Sequence, residues 1–279
     1  MMITRSMGQI GQIGVIGSTS GSAGGSGLPL YKLSAVTFNG IADFISKTGD
    51  LNDLPLTAST FLSYFWVNHR FFDNDGQMYL SSSSFNTYIY RNNASTFSTI
   101  QPYFKDVGGG FVYTNGTIPV TSANGWTCVA VSLDISNIAA PILQIMVGNT
   151  VETPTALNFL SSSLLKISGL TNWQVAGGVA GLYLFGGDMA LAYMKLGAPF
   201  FDLTNVANRR KIITAAGKPV NPGADGSNVT GSPANILMRQ AAGDTDPYNF
   251  CINYGLGGMD PTIFFTVGAP TIAPTSPSN

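Results

Sequence analysis

One glutamate, Glu152, and one histidine, His69, are all that the chain offers of those two residue types. Glycoside hydrolysis uses two carboxylates flanking the scissile bond, one to protonate the leaving oxygen and one to attack or to activate water. Glu152 follows the Gly148-Asn149-Thr150 turn with no carboxylate within two residues. Aspartates recur at i, i+2 as Asp73/Asp75 and Asp244/Asp246, both in loop-like sequence. A Ser-His-Asp triad would have to use His69. That residue closes a strongly apolar run and reads as a structural histidine bound to a strand-end or loop carbonyl. Gly108-Gly109-Gly110 has no helix behind it and does not cradle phosphate. Two cysteines and one histidine, far apart in sequence, do not suit zinc. The expectation is a protein that is not an enzyme.

Two kinds of binding site survive this reading. Asp73-Asn74-Asp75-Gly76 places oxygen ligands on a tight turn, as calcium requires, and the same four residues also make a good hairpin turn. No other cofactor is expected. Sugar recognition combines aromatic platforms with planar amides, which orient hydrogen bonds around apolar stacking. Tyr88, Tyr90, Tyr103, Phe104, Asn172 and Trp173 are candidates, several of them near predicted loops; the competing reading is core and rim packing. Asp188 is expected to cap backbone amides at the start of a strand.

The elements that must position these residues are short strands. Strands are predicted over 33–38, 61–70, 77–82, 86–91, 111–113, in the stretch led by Trp126, over 142–147, within 174–185, and over 235–239 and 262–267. Turn chemistry separates them at Asn39-Gly40, Asp75-Gly76, Asn92-Asn93, Asn115-Gly116, Asn124-Gly125 and Gly148-Asn149. Met189, Leu191 and Tyr193 alternate with Ala190, Ala192 and Met194, so that strand can bury both faces. After it, Asp202 or Thr204 is expected to cap a helix running to about Ala216, with Gly217 taking the left-handed stop. Even spacing of short strands with one small helix predicts an all-β sandwich.

Composition restricts the partners. Charged residues make up 10% of 279 residues, against about 25% in ordinary soluble domains. Such a surface suits a chain packed in an assembly, as a homo-oligomer, for example a trimer; the alternative reading is a neutral secreted or carbohydrate-contacting surface. The formal net charge is −1 and the one basic block is Arg209-Arg210-Lys211, read as a solvated helix end, so nucleic acid is not an expected partner. No apolar run reaches the roughly 18 residues of a membrane span. The N-terminal sequence lacks a secretion signal. Cys128 reads as a small buried hydrophobe, with pairing to Cys251 left open. Residues 1–27 form a Gly/Ser-rich arm whose Ile10, Ile13, Val15 and Ile16 are spaced to dock on a neighbour. Residues 28–268 are read as the sandwich, and 269–279 as a Pro/Ser-rich tail, extended or disordered.

The segment GGDMALAYMKLGAPFFDLTNVANRRKIITAAGKPVNPGADG, residues 186–226, resembles the closing part of laminin-G-like, concanavalin-like jelly-roll domains. FDLTNVANRRKIITAAGKPVNPGADGS is similar to versions of that domain in tailed-bacteriophage and prophage virion proteins. Residues 125–134 resemble the family's Trp-led core strand, and 141–149 its partner ending in an Asn/Gly hairpin. The resemblance covers about residues 34–266 at low identity. It implies a concanavalin-like (laminin-G-like) jelly roll with one short helix and a flexible N-terminal arm. It also implies a non-enzymatic structural protein of a virion (capsid decoration, spike or tail component), made in the host cytoplasm and anchored by the arm to other virion proteins. The alternative is an adhesin for a host surface polysaccharide. A glycoside hydrolase is disfavoured by the single glutamate.

Overall fold

The computed structural model describes residues 31–47, 58–70, 76–82, 86–94, 97–167, 173–178, 183–256 and 265–277. They form two antiparallel sheets. The first runs in the order Leu33–Ser34, Ile236–Ala241, Gly186–Leu196, Thr60–His69, Thr127–Asp134, Ile142–Val147, Thr150–Glu152. Val36–Asn39 also pairs with Gly186–Leu196 and carries Thr271–Ile272 on its other side. The second sheet runs Leu157–Asn158, Phe111–Tyr113, Phe97–Lys105, Thr87–Ala94, Gln77–Ser81, Trp173–Val175, Phe44–Lys47, Phe265–Val267. The fold is an all-β sandwich of two antiparallel sheets, as the strand pattern predicts.

The strand at Gly186–Leu196 is buried along its whole length. Its pairing with Thr60–His69 shifts register between Met189 and Leu191, leaving Ala190 as the extra residue of a bulge. Met189, Ala192, Met194 and Leu196 consequently face the core between the sheets, with Phe61, Phe65 and Val67. Ala190, Leu191 and Tyr193 face the other way, with Tyr64, Trp66, Cys128 and Ala130. A third layer covers that second face: Phe201, Leu203, Ile212, Ile213, Val229 and Ala234 close over the stacked Tyr64 and Tyr193 rings, 4.7 Å apart.

This layer replaces the predicted helix. A single turn, Val206–Arg209, is capped by Asn205, whose side chain accepts from Ala207 N. Asp202 accepts from the Thr204 N–H and from Gln144 instead of capping a helix. The helix stops early because Ile212 and Ile213 must both reach the outer face of the sheet, and Ile213 bridges to Pro219. The basic triplet does lie at the helix end, with Lys211 exposed, but its two guanidinium groups are bonded to backbone rather than left to solvent. Arg209 donates to the Leu203 and Thr204 carbonyls, Arg210 to Asn149 Oδ1 and the Ile213 and Thr214 carbonyls, and Lys211 sits over the Phe201 ring. Gly217 is left-handed, at φ 73°.

The C-terminal segment is extended rather than loose. Thr271–Ile272 pairs with Val36–Asn39, Ala273 N donates to Ala35 O, and Trp126 Nε1 donates to Thr275 Oγ1. Several strands escape the sequence reading, the longest being Phe44–Lys47 and Phe97–Lys105, with the shorter Thr150–Glu152, Leu157–Asn158 and Thr271–Ile272. Both cysteines are buried and free. The arm with Ile10, Ile13, Val15 and Ile16 lies outside the described residues.

Leu203 is fully buried in the outer layer. Leu203→Ala should therefore lower unfolding free energy by about 3 kcal/mol, as for a core leucine. Urea unfolding reads this directly; a loss below about 1 kcal/mol would show that this layer is not packed as core.

Candidate functional site

The Thr87–Ala94 and Phe97–Lys105 strands form a hairpin in which alternate residues serve opposite faces. Ile89, Ile100 and Phe104 point into the sandwich and are completely buried. Phe104, a sugar-contact candidate in the sequence, is therefore a core residue, set edge-on against Phe61 at 4.8 Å. The alternate positions, Tyr88, Tyr90, Gln101, Tyr103 and Lys105, take the outer face and are half-buried.

Tyr88 and Tyr103 are directly cross-strand partners. Their rings stack 4.9 Å apart at an interplanar angle of 4°. Phe111, on the next strand, continues the stack against Tyr103 at 5.5 Å and 22°. The centroid spacing matches the separation of neighbouring strands, about 4.8 Å, so the ring normals lie across the sheet and the ring edges face outward. Tyr103 is thus covered on both faces, and its edge and hydroxyl are what it presents.

Tyr90 is turned out of this stack. Its ring is at 86° to Tyr88 and 77° to Tyr183, with centroids 6.4 and 5.4 Å away. The phenol reaches sideways to the neighbouring strand and fills the space where residue 76 would carry a side chain: a Cβ built on Gly76 would fall 1.9 Å from Tyr90 Oη. Gly76 thus lets the Tyr90 ring lie down along the sheet. Met78, cross-strand to Tyr90, is buried beside it. Tyr183, 42% exposed and held at a left-handed φ of 55°, rises from the following loop as a wall. Together Met78, Tyr88, Tyr90, Gln101, Tyr103, Lys105 and Tyr183 enclose a cleft of about 480 Å³.

The cleft is rich in neutral phenols. Burial, followed by the neighbouring Tyr103, Tyr90, Tyr113 and Tyr183, pushes the Tyr88 hydroxyl up to about 12, and burial also raises Tyr103. Both remain protonated near neutral pH, as hydrogen-bonding groups without charge.

Of the candidates read from sequence, Tyr88, Tyr90 and Tyr103 meet at this one place. Trp173 does not. It is 1% exposed, packed into the core between the sheets, and cannot stack on a ligand. Its strand, Trp173–Val175, lies inside the second sheet between Gln77–Ser81 and Phe44–Lys47, buried along its length, so the aromatic ring has an inward site to fill. Asn172, Asp73 and Asp75 lie outside the described residues. Gln101, Lys105, Met78 and Tyr183 were not anticipated. The first two were detectable by alternation from Tyr103, whereas nothing local marks Tyr183.

The remaining chemical groups serve structure. Glu152 accepts from Thr117 N, Thr117 Oγ1 and Ile118 N. Asp244 accepts from Asp246 N and Asn249 Nδ2, and Asp246 caps Tyr248 N, so this i, i+2 pair builds a turn. Asp188 binds side chains instead of backbone amides: the Thr37 hydroxyl at 2.7 Å, Asn68 Nδ2 at 3.1 Å and Arg70 Nε at 2.5 Å. His69 is structural, but its partners are side chains too. Nδ1 lies 3.0 Å from Gln77 Oε1 and Nε2 lies 2.8 Å from the Tyr79 hydroxyl. A neutral ring donates from Nδ1 and accepts from Tyr79, which satisfies both.

No protein-family profile and no curated protein sequence matches this chain. Solved structures resemble it in fold. A Bacteroides ovatus ATCC 8483 protein, provisionally assigned to carbohydrate binding, superposes with a TM-score of 0.52 at 14% identity over 88% of this chain. The chain spans 60% of that protein's length. Mouse laminin α1 domains LG4-5 give 0.41 at 8% identity, over 64% of this chain and 46% of theirs. The heptameric SAP-like pentraxin of Limulus polyphemus gives 0.41 at 8%, over 58% and 75%.

Burial, then the charge of Arg91, lowers His69 from 6.5 to about 3, against the opposing pull of its Gln77 bond. Above about 6.5 neither the folded nor the unfolded state holds the proton. Between about 6.5 and about 3 the unfolded state alone binds it, so stability falls with falling pH by up to about 1.4 kcal/mol per unit. His69→Gln should remove close to one proton from the pH dependence of unfolding between about pH 4 and 6. Urea titrations of both proteins across that window measure it; parallel curves would show that the ring is protonated in the folded state.

Proposed function

We propose that this protein binds carbohydrate in the tyrosine cleft of its second sheet and carries out no catalysis there. The observation that carries the reading is the arrangement of Tyr90, lying along the sheet over Gly76, between the upright Tyr88 and Tyr183. A sugar's apolar C–H face stacks on such a ring, while phenol edges, the Gln101 amide and Lys105 bond its hydroxyls. The Tyr88–Tyr103–Phe111 stack is rigid and holds the wall in place at low entropic cost. Among the described residues no carboxylate lines the cleft, where a glycosidase would need an acid pair. The carbohydrate-binding assignment of the Bacteroides ovatus protein supports the same reading at the level of fold.

The reading as a virion component stands beside this one, since a particle-borne domain can also bind glycan. What favours it is the surface. Phe159, 61% exposed, extends the aromatic row from Phe111 at 5.0 Å, and Leu157 is 50% exposed, in a chain with 10% charged residues. Contacts with a second copy or with a particle would cover this apolar edge.

A glycan array followed by calorimetry tests the first reading. Tyr90→Ala should weaken binding at least about tenfold, with the unfolding midpoint held within a few degrees, because stacking of a ligand on an aromatic ring contributes about 1–3 kcal/mol. Gly76→Val should have the same effect by displacing the ring. Unchanged affinity in both variants would overturn the platform role. For the second reading, native mass measurement should show a homo-oligomer that rebinds purified virions through residues 1–27. A monomer that ignores virions with and without that arm would reject it.

A further inference from the structure

Resting on the carbohydrate reading of the cleft, we infer that its ligand is an acidic saccharide, carrying carboxylate or sulfate, whose charged group is held at the Lys105 end.

The argument is one of charge placement. Among the seven described residues that line the cleft, Lys105 alone carries a formal charge. The adjacent carboxylate does not neutralise it. Asp106 points to the opposite side of the strand and is itself buried. It is committed to the backbone N–H groups of Gly110, Ser161 and Ser162 and to the Ser161 hydroxyl. Those bonds hold Asp106 below the usual carboxylate range despite its burial. Among the described residues the one ion pair is Arg70–Asp188, in the other sheet.

A second cation stands next to the first. Lys166 N donates to Lys105 O at 2.9 Å, which sets the two residues side by side. Leu165 is buried in the core, so by alternation Lys166 faces out on the same side as Lys105, and it is exposed. The pair is notable in a chain with 13 lysines and arginines and a net charge of −1. Two ammonium groups together match an anionic substituent better than a hydroxyl.

Distance sets the size of ligand. Gln101, opposite the Tyr90 platform, and Lys105 are four residues apart on one strand, about 13 Å. A sugar ring on Tyr90 and an acidic group at Lys105 therefore belong to different residues of a short oligosaccharide running along the strand, past the upright edges of Tyr88 and Tyr103. Tyr88 and Tyr103 stay uncharged near neutral pH, so neither repels an anion along that path.

The experiment compares oligogalacturonate, dextran sulfate and neutral dextran with the full chain, by calorimetry at low and high salt. One or both anionic probes should bind about tenfold or more tighter than neutral dextran, with the advantage shrinking as salt rises. Lys105→Gln combined with Lys166→Gln should reduce that advantage to about twofold or less, while Tyr90→Ala weakens binding of every probe. Oligogalacturonate and dextran sulfate separate carboxylate from sulfate recognition. Equal or tighter binding of a neutral glycan, in this set or on an array, overturns the acidic ligand and leaves the cleft reading intact. An advantage that survives the double lysine substitution overturns the inference as well. Failure of every glycan to bind overturns both.

Discussion

The strand at Gly186–Leu196 has to bury two faces at once, and most of the molecule is arranged around that requirement. One face packs on the second sheet through Met189, Ala192, Met194 and Leu196. The other needs cover as well, and the chain supplies it by looping Phe201 to Ala234 across Leu191 and Tyr193. The bulge at Ala190 is what lets apolar side chains on both sides of a strand stay in register with Thr60–His69. The two-sided strand also explains why the expected helix shrinks to one turn. A regular helix to Ala216 would not deliver both Ile212 and Ile213 to the sheet, so backbone bonding passes to the Arg209 and Arg210 guanidinium groups.

With the sandwich core fixed in this way, the outer face of the second sheet follows by alternation. Ile89, Ile100 and Phe104 are required inside, and Tyr88, Tyr90, Gln101, Tyr103 and Lys105 are consequently presented outside. A slip of one residue would bury the phenols and Lys105, which is far more costly than any turn preference. The cleft is therefore a consequence of core packing on the reverse side of the same two strands. Its rigidity has the same origin. Rings that stack across adjacent strands move only if the strands do.

Polar side chains divide between the two roles according to burial. His69, Asp188 and Asp106 each end inside a closed set of bonds, to Gln77 and Tyr79, to Thr37, Asn68 and Arg70, and to the Gly110, Ser161 and Ser162 amides. None faces the cleft. These three, which would draw attention in a search for catalysis, are each held by structural bonds. The residues of the cleft are ordinary tyrosines, an amide and a lysine, distinguished by arrangement alone.

Much of this was legible in the residues themselves. Alternation of apolar side chains and the Asn/Gly turns fix the β class, the residue 142–147 hairpin partner and the doubly buried strand, because a period of two is a local property of extended backbone. The scarcity of glutamate and histidine is the ground on which the sequence leads one to expect no hydrolytic chemistry, without reference to any fold. The sequence also singles out Tyr88, Tyr90 and Tyr103 as aromatics near predicted loops, and of these Tyr88 and Tyr90 alternate on the predicted 86–91 strand and so share a face. It could not say which face, and so it could not tell Phe104 and Trp173 from surface aromatics; that depends on which side of a sheet meets the other. Tyr183 and Gly76 come to Tyr90 from strands and loops distant in the chain, and the commitment of Asp106 to Ser161 and Ser162 is equally non-local. Those juxtapositions are made by the closing of two sheets over one core, and no local pattern of residues encodes them.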